Sequence, residues 1–237
     1  MHRLFLHIVI VLAGVLLVSC STTRSLQDDQ YRLERNRIEI VNSKDFNPGL
    51  LNPYLKQKHK GWSPFLYVYN WSNGKGKGWD KIVQRIGVEP VVYDSDMVEA
   101  TVANMVDRLT YLGYYGSSIE SNVYVKKKNV SVIYDVTLGK RFPIKDIEIM
   151  LPSEGTFADD FLADTSAMTI KIGDYLSEDI LENETVRASA SLRNMGYYEF
   201  SKNNFFFEAD TLSCPDSAIL KMTINGYTRN ETPDRAR

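Results

Sequence analysis

Apolar positions recur along this chain with two different periods. Val98, Val102, Met105, Leu109 and Leu112 follow one another at spacings of 4, 3, 4 and 3, the stripe of an amphipathic helix. Leu181, Thr185, Ala188, Leu192 and Met195 repeat those spacings 83 positions later, the distance from Gly113 to Gly196. Each stripe is preceded by helix-start residues: Asp94, Ser95 and Asp96 before the first, and Ser177, Glu178 and Asp179 before the second. Such side chains accept hydrogen bonds from the free N–H groups of a first turn. Each stripe ends in the phrase Gly-Tyr-Tyr: Gly113, Tyr114 and Tyr115, then Gly196, Tyr197 and Tyr198. Glycine tolerates the left-handed conformation that closes a helix.

After each phrase the period drops to two. Ile119, Ser121, Val123 and Val125 alternate with Ser118, Glu120, Asn122 and Tyr124. A lysine turn at Lys126, Lys127 and Lys128 follows, and then Val130, Val132, Tyr134, Val136 and Leu138 alternate with mostly polar residues. That predicts strand, turn, strand. In the second copy Phe205 and Phe207 open one strand, and Leu220, Met222 and Ile224 carry the next. The longer second turn falls in TLSCPDS, a loop sequence containing Pro215 and Asp216.

Before each long helix lies another strand, with Ile38 and Ile40 in one copy and Ile147 and Ile149 in the other. A short helical face follows, Leu51 and Leu55 or Phe157 and Phe161. Both copies read β-α-α-β-β. The first strands are 109 positions apart (38 to 147) against 83 for the long helices, so the first copy holds 26 more residues in between. These form an aromatic and glycine-rich insertion at about 60–90. The expected modules are residues 30–139 and 140–227, with a polar tail at 228–237.

The N-terminus has a different character. His2 and Arg3 precede the apolar run LFLHIVIVLAGVLLV, and Ser19-Cys20 follows. Charged, apolar and small-residue regions in that order form a signal peptide, residues 1–19. Leu17-Val18-Ser19-Cys20 has the form of a bacterial lipobox, in which the Cys20 thiol takes the lipid after cleavage. A transmembrane anchor with a chance cysteine is the other reading, but the apolar run falls short of the roughly 20 residues a bilayer demands. The polar residues 20–29 read as a tether.

Composition narrows the chemistry. The formal net charge is −2 and basic runs are short, which gives nucleic acid no purchase. There are two cysteines. With Cys20 lipidated, Cys214 has no partner and a disulfide framework is excluded. His2 and His7 lie in the signal segment, which leaves His59, in the basic run KQKHKG, as the one mature histidine. A Cys/His pair, a His-based triad and a His-rich metal site are therefore poorly supplied. Neither catalytic residue, metal site nor cofactor is expected. WSNGKGKGW lacks the Gly-Lys-Ser/Thr of a phosphate loop and reads as a flexible loop. WSPFLYVYNW sets Phe65, Tyr67, Tyr69 and Trp71 at period two, with Trp62 before them. It reads as an added strand packing on its own domain, with a partner surface or sugar stacking as alternatives.

A β-α-α-β-β unit with L-x-x-x-G-Y-Y at the end of its second helix resembles a POTRA domain. The order of segments goes further: Cys20 followed by STTRSL, then RLERNRIEIVN, LLNPYLKQK, FLYVYNW, GVEPVVYDSDMVE and LRNMGYYEFSKNNFFFEADT. It is similar to the translocation and assembly module lipoproteins (TamL-like) of the BamA/TamA outer-membrane assembly superfamily, over almost all of the mature chain. The resemblance implies an α+β fold of tandem modules, each a three-stranded mixed sheet with two helices on one face. It implies a periplasmic, non-enzymatic scaffold held at the outer membrane by a fatty acid, of the palmitate kind, on Cys20. Its partners would be outer-membrane protein clients or assembly-module proteins. Members of that family continue into a membrane barrel; this chain has no series of roughly ten-residue alternating strands.

In POTRA domains the open sheet edge is the strand after Gly-Tyr-Tyr, here about 117–125 and 201–209. The candidate edge residues are Ile119, Val123 and Val125 in the first, and Asn204, Phe205, Phe206 and Phe207 in the second. An open edge offers unpaired N–H and C=O groups to an extended peptide. The lysines that end the first limit unwanted pairing. A cell-envelope lipoprotein that binds glycan through its aromatic insertion is the alternative function.

Overall fold

The structure is a computed structural model that describes residues 23, 25–60, 64–70, 78–152 and 155–225. The signal segment, Cys20, Trp62, Trp71, most of the glycine–lysine loop and the polar tail lie outside the described residues. The first copy contains β1 (Arg32–Ile40), a 3-10 helix (Pro48–Tyr54), α1 (Pro64–Tyr69), α2 (Trp79–Ile86), α3 (Ser95–Tyr111), β2 (Ser118–Lys126) and β3 (Asn129–Thr137). The second contains β4 (Ile144–Met150), α4 (Thr156–Asp164), α5 (Glu178–Asn194), β5 (Phe205–Asp210) and β6 (Ala218–Ile224). Short 3-10 turns at Thr165–Ala167 and Lys202–Asn204 flank α5.

This is the α+β class expected from the alternation. Two three-stranded sheets have the orders β1-β3-β2 and β4-β6-β5. In each, the first strand pairs in parallel with the last, Ile38 opposite Tyr134 and Ile147 opposite Leu220. A parallel partner requires a crossover, which the helices supply. The remaining strand is joined to the last by a hairpin and forms an outer edge. Both first strands carry a bulge, between Leu33 and Arg35 and between Ile144 and Asp146.

By contacts the chain divides into two compact units. One holds the segment ending at Ile40, with residues 44–104 and 119–136; the other holds 41–43, 105–118 and 137 onward. In the first unit Leu33, Val98, Val130, Val132 and Tyr134 form the core, with Ile38, Leu55, Val102 and Ile119 packed on it. In the second, Phe157 and Phe161 of α4 and Ala188 and Leu192 of α5 meet Phe205, Met222 and Ile224 on one face of the sheet. The stripe leucines Leu109 and Leu192 are both fully buried.

Two expectations need correction. The aromatic segment is not an added strand: residues 64–69 form α1. Pro64 is preorganised for a first helical turn, Leu66 is buried, and the Asn70 side chain donates to the Leu66 carbonyl at 2.7 Å to close the helix end. A helix sets Phe65 and Tyr69, four apart, on one face and Tyr67 on the opposite side, instead of lining all three together. The second edge strand opens at Phe205, as the alternation reads, and the residues 201–204 assigned to its edge lie before it. Ser201 and Asn204 form a capping box over the turn Lys202–Asn204, so the strand starts at Phe205.

Candidate partner-binding edges

The Gly-Tyr-Tyr phrase closes both long helices with the same hydrogen bonds. Tyr114 N–H donates to the Leu109 carbonyl at 2.8 Å and Gly113 N–H to Thr110 at 2.9 Å. Tyr197 N–H donates to Leu192 at 3.1 Å and Gly196 N–H to Arg193 at 3.0 Å. These are the two bonds of a Schellman cap, with glycine at the left-handed position. Gly113 has φ 85° and Gly196 φ 106°. The stripe leucine thus does two tasks, burying its side chain and accepting the closing bond.

The two tyrosines then diverge. Tyr197 is 1% exposed, its ring edge-on to Phe157 at 5.2 Å, and its hydroxyl donates to Asp160 at 2.9 Å. Tyr198 is 70% exposed. Tyr114 carries the Arg141 guanidinium 5.0 Å above its ring, while the Tyr115 backbone exchanges two 2.9 Å hydrogen bonds with Lys140.

The N-terminal parts of the first strands' outer edges are closed by the chain itself, in matching ways. Leu33 N–H donates to Val91 and Tyr93 N–H to Tyr31, each at 2.7 Å. Ile144 N–H donates to Asp174 and Leu176 N–H to Phe142, each at 2.8 Å. Acceptors Val91 and Asp174 are again 83 positions apart (91 to 174). Three residues beyond Leu33 and Ile144, a side chain takes the next N–H. Asn36 donates to His59 Nδ1 at 3.3 Å, and Ile147 donates to Asp146 Oδ1 at 2.8 Å. His59 is therefore part of an edge guard, not only a solvated basic residue.

The other edges, β2 and β5, are outermost in their sheets. On β2, Val123 is 40% and Val125 58% exposed, and Ile119 is half-buried against the core. Lys127 takes the tip of the hairpin at φ 56°, and Lys128 donates to the Gln27 carbonyl at 2.8 Å.

On β5 the register identifies which backbone groups face out. Asn225 N–H donates to Asn204 C=O at 2.8 Å, and Asn204 Nδ2 donates to Asn225 C=O at 2.9 Å. Antiparallel pairs alternate between those that exchange hydrogen bonds and those that point away. Phe206, Glu208 and Asp210, opposite Thr223, Lys221 and Ile219, thus face β6 with their backbone groups, and Phe207 and Ala209 aim theirs outward. Asn204 stands before the strand and its N–H goes to Ser201; Phe205 N–H goes to Lys202. Of the four residues named from sequence on this edge, Phe207 is the one whose amide points outward, and Ala209 was missed.

A polar tie also repeats between the copies. Thr101 Oγ1 accepts from the Lys56 amide at 3.0 Å, and Glu184 Oε2 accepts from the Thr169 amide at 2.7 Å. In each case the long helix holds the chain leaving the short one. In the second unit this grows into a cluster. Arg187 binds Glu184 at 2.6 Å and Asp164 at 2.8 Å, and Ser191 donates to Asp164 at 2.6 Å. Burial pushes the Asp164 carboxyl up, but hydrogen bonds from Arg187 and Ser191 outweigh it and hold it below the usual carboxylate range. Glu184, bound chiefly through side-chain hydrogen bonds, together with Asp164 raises Arg187. The cluster is structural: it fastens α4, the turn after it and α5.

Among the described residues no group of His, Cys, Asp and Glu could hold a metal ion, and no helix is long and apolar enough to cross a membrane. Cys214 is half-buried, with Lys145 Nζ 3.6 Å from its sulfur.

Fold and edges together define a tandem pair of β-α-α-β-β modules; among the described residues, each sheet has one edge closed at its start by the chain and one outermost hairpin strand, β2 or β5. No family profile and no curated protein matches the sequence. Solved structures are similar at low identity. The POTRA3-5 segment of BamA from Haemophilus influenzae is 12% identical with a TM-score of 0.41, over 83% of this chain and 61% of that one. BamA from Haemophilus ducreyi lacking POTRA domains 1-3 is 14% identical with a TM-score of 0.43, over 83% and 30%. POTRA1-2 of the periplasmic domain of Omp85 from Anabaena is 8% identical with a TM-score of 0.35, over 86% and 100%. The chain thus spans less than two thirds of the first two.

Proposed function

We propose that this protein is a lipid-anchored periplasmic scaffold of tandem POTRA-like modules, residues 30–139 and 140–227, that serves outer-membrane protein assembly. It holds extended segments of client or partner proteins by adding them to the β2 and β5 edges. The observation that carries the reading is the asymmetry of the edges. In both sheets the start of the first strand is closed by pre-helix residues and a side-chain guard, while β5 keeps the Phe207 and Ala209 backbone aimed outward. Edge strands left long and unguarded recruit other strands, and main-chain pairing tolerates many sequences. That suits a scaffold for clients that share little beyond alternating strands. The lipobox at Leu17–Cys20 supports anchoring on the outer membrane, as in the TamL-like lipoproteins the segments resemble. The glycan reading is less favoured, because α1 puts Tyr67 on the side opposite Phe65 and Tyr69, so the three do not form one platform.

The edge is tested with Ala209→Pro and Ala209→Val in the full mature chain. Proline removes an outward N–H without touching the ladder to β6, a substitution edge strands accept. Binding of a barrel-strand peptide, followed by fluorescence anisotropy, should be lost with proline and kept with valine. A proline variant with unchanged circular dichroism and unchanged binding contradicts strand addition at β5.

A further inference from the structure

We infer that the β5 edge is selective: it favours extended segments that carry two basic residues and one apolar residue at alternate positions. The inference rests on the strand-addition reading and deepens it. The carrying feature is the row of side chains that an added strand would lie beside. Phe206, Glu208 and Asp210 share the sheet face away from the helices; Phe206 is 51% exposed and the Glu208 side chain 74%. Their cross-strand neighbours extend the pattern. Phe206 lies opposite Thr223, which lies opposite Met150; Glu208 opposite Lys221, then Glu148; Asp210 opposite Ile219, then Asp146. One end of the face is apolar, and the rest presents four carboxylates against one ladder ammonium.

That ammonium does not neutralise the edge. Lys221 Nζ is 3.7 Å from Glu208 and has Glu148 on its other side in the register. Lys145, at the β4 bulge, turns to the Cys214 sulfur. Asp210 stays charged: hydrogen bonds from the Ser213 hydroxyl, then the Ser213 and Leu212 amides, hold its carboxyl below the usual range. A strand that pairs with the Phe207 and Ala209 backbone sets its own outward side chains directly beside Phe206, Glu208 and Asp210. Opposite charges and aromatic–apolar pairs are favoured at such positions, and like charges opposed. An antiparallel arrival therefore reads basic-x-basic-x-apolar from N to C, and a parallel one reads the reverse. On the inner row, beside Phe207 and Ala209, small apolar side chains fit.

The experiment uses the full mature chain and two synthetic peptides with identical inner rows. One has Lys-x-Lys-x-Phe on its outer row and the other Glu-x-Glu-x-Phe. Each is also made with N-methyl groups on the backbone amides that would pair. The lysine peptide should bind about tenfold more tightly at low salt, and N-methylation should abolish its binding. Glu208→Lys should shrink or invert the preference. Glu148→Lys, with the same charge change on the far strand, should leave most of it. Equal binding of both peptides, with N-methylation still abolishing it, overturns the selectivity and leaves strand addition standing. Equal effects of the two lysine substitutions overturn it too, leaving only net charge. No binding of either peptide, or binding indifferent to N-methylation, removes strand addition at β5 and the selectivity with it.

Discussion

At the scale of single residues, the closing glycines make separable demands. Gly196 needs its left-handed φ of 106°, which costs a β-carbon about 1 kcal/mol or more. Gly113 has the same need at φ 85°, and an added Cβ would also collide with the Leu176 carbonyl oxygen within the second unit. Gly113→Ala should therefore lower stability in urea denaturation by clearly more than the about 1 kcal/mol of the strained φ alone; a loss of only that size would mean that the backbone near Leu176 gives way freely. Leu109→Ala and Leu192→Ala should each cost about 2–5 kcal/mol as buried leucines do. Arg187→Met leaves Glu184 and Asp164 buried without their cation, at about 3–5 kcal/mol. The sign of its pH dependence follows. With Arg187 present, Asp164 is held low, so its stabilisation exists above the unfolded value, about 3.9, and is lost only as pH falls below that. Without Arg187, the burial that pushes Asp164 up is less opposed, and the fold prefers that carboxyl protonated. The penalty measured by urea denaturation should shrink from pH 7 to pH 5; a constant penalty contradicts this account of the cluster. The sequence showed the glycines and leucines plainly, because their roles demand particular residue types. It hid Thr101 and Glu184, which perform one task with different chemistry.

At the scale of elements, both long helices, all six strands and the strand–turn–strand units were legible from period alone. The stripes and alternations are set by burial of one face, which leaves a direct mark on residue type. The aromatic segment misled because Phe65, Tyr67 and Tyr69 at period two satisfy a strand pattern, while Pro64 and the capping Asn70 decide for a helix. The β5 edge was extended back to 201 because a Ser-x-x-Asn capping box looks like polar strand residues until its hydrogen bonds are seen. Which amides face out was beyond the sequence, since it depends on register. The guards make a prediction of their own. Asp146→Ala releases the Ile147 amide on the β4 edge. The mutant should show more concentration-dependent association in sedimentation than the wild type. Unchanged association would mean that this guard does not control the edge.

At the scale of the whole molecule, the duplication reaches hydrogen bonds as well as residue types. Caps, strand-edge closures and helix ties recur in both copies. The first copy adds α1 and α2, and where the second has its carboxylate cluster the first has the Thr101 tie. Anchoring belongs to this scale as well: Cys20→Ser should leave an unlipidated chain that no longer fractionates with the outer membrane, and fatty-acid labelling of that variant would contradict the lipobox. The central claim is that each module spends its repeated cap on aiming an edge strand at a partner. It is tested most directly by amide hydrogen exchange of the mature chain with and without a bound barrel-strand peptide. The account predicts new protection at Phe207 and Ala209, with Phe206 and Glu208 unchanged because their amides already face β6. Bound peptide with no added protection at Phe207 and Ala209 would contradict it.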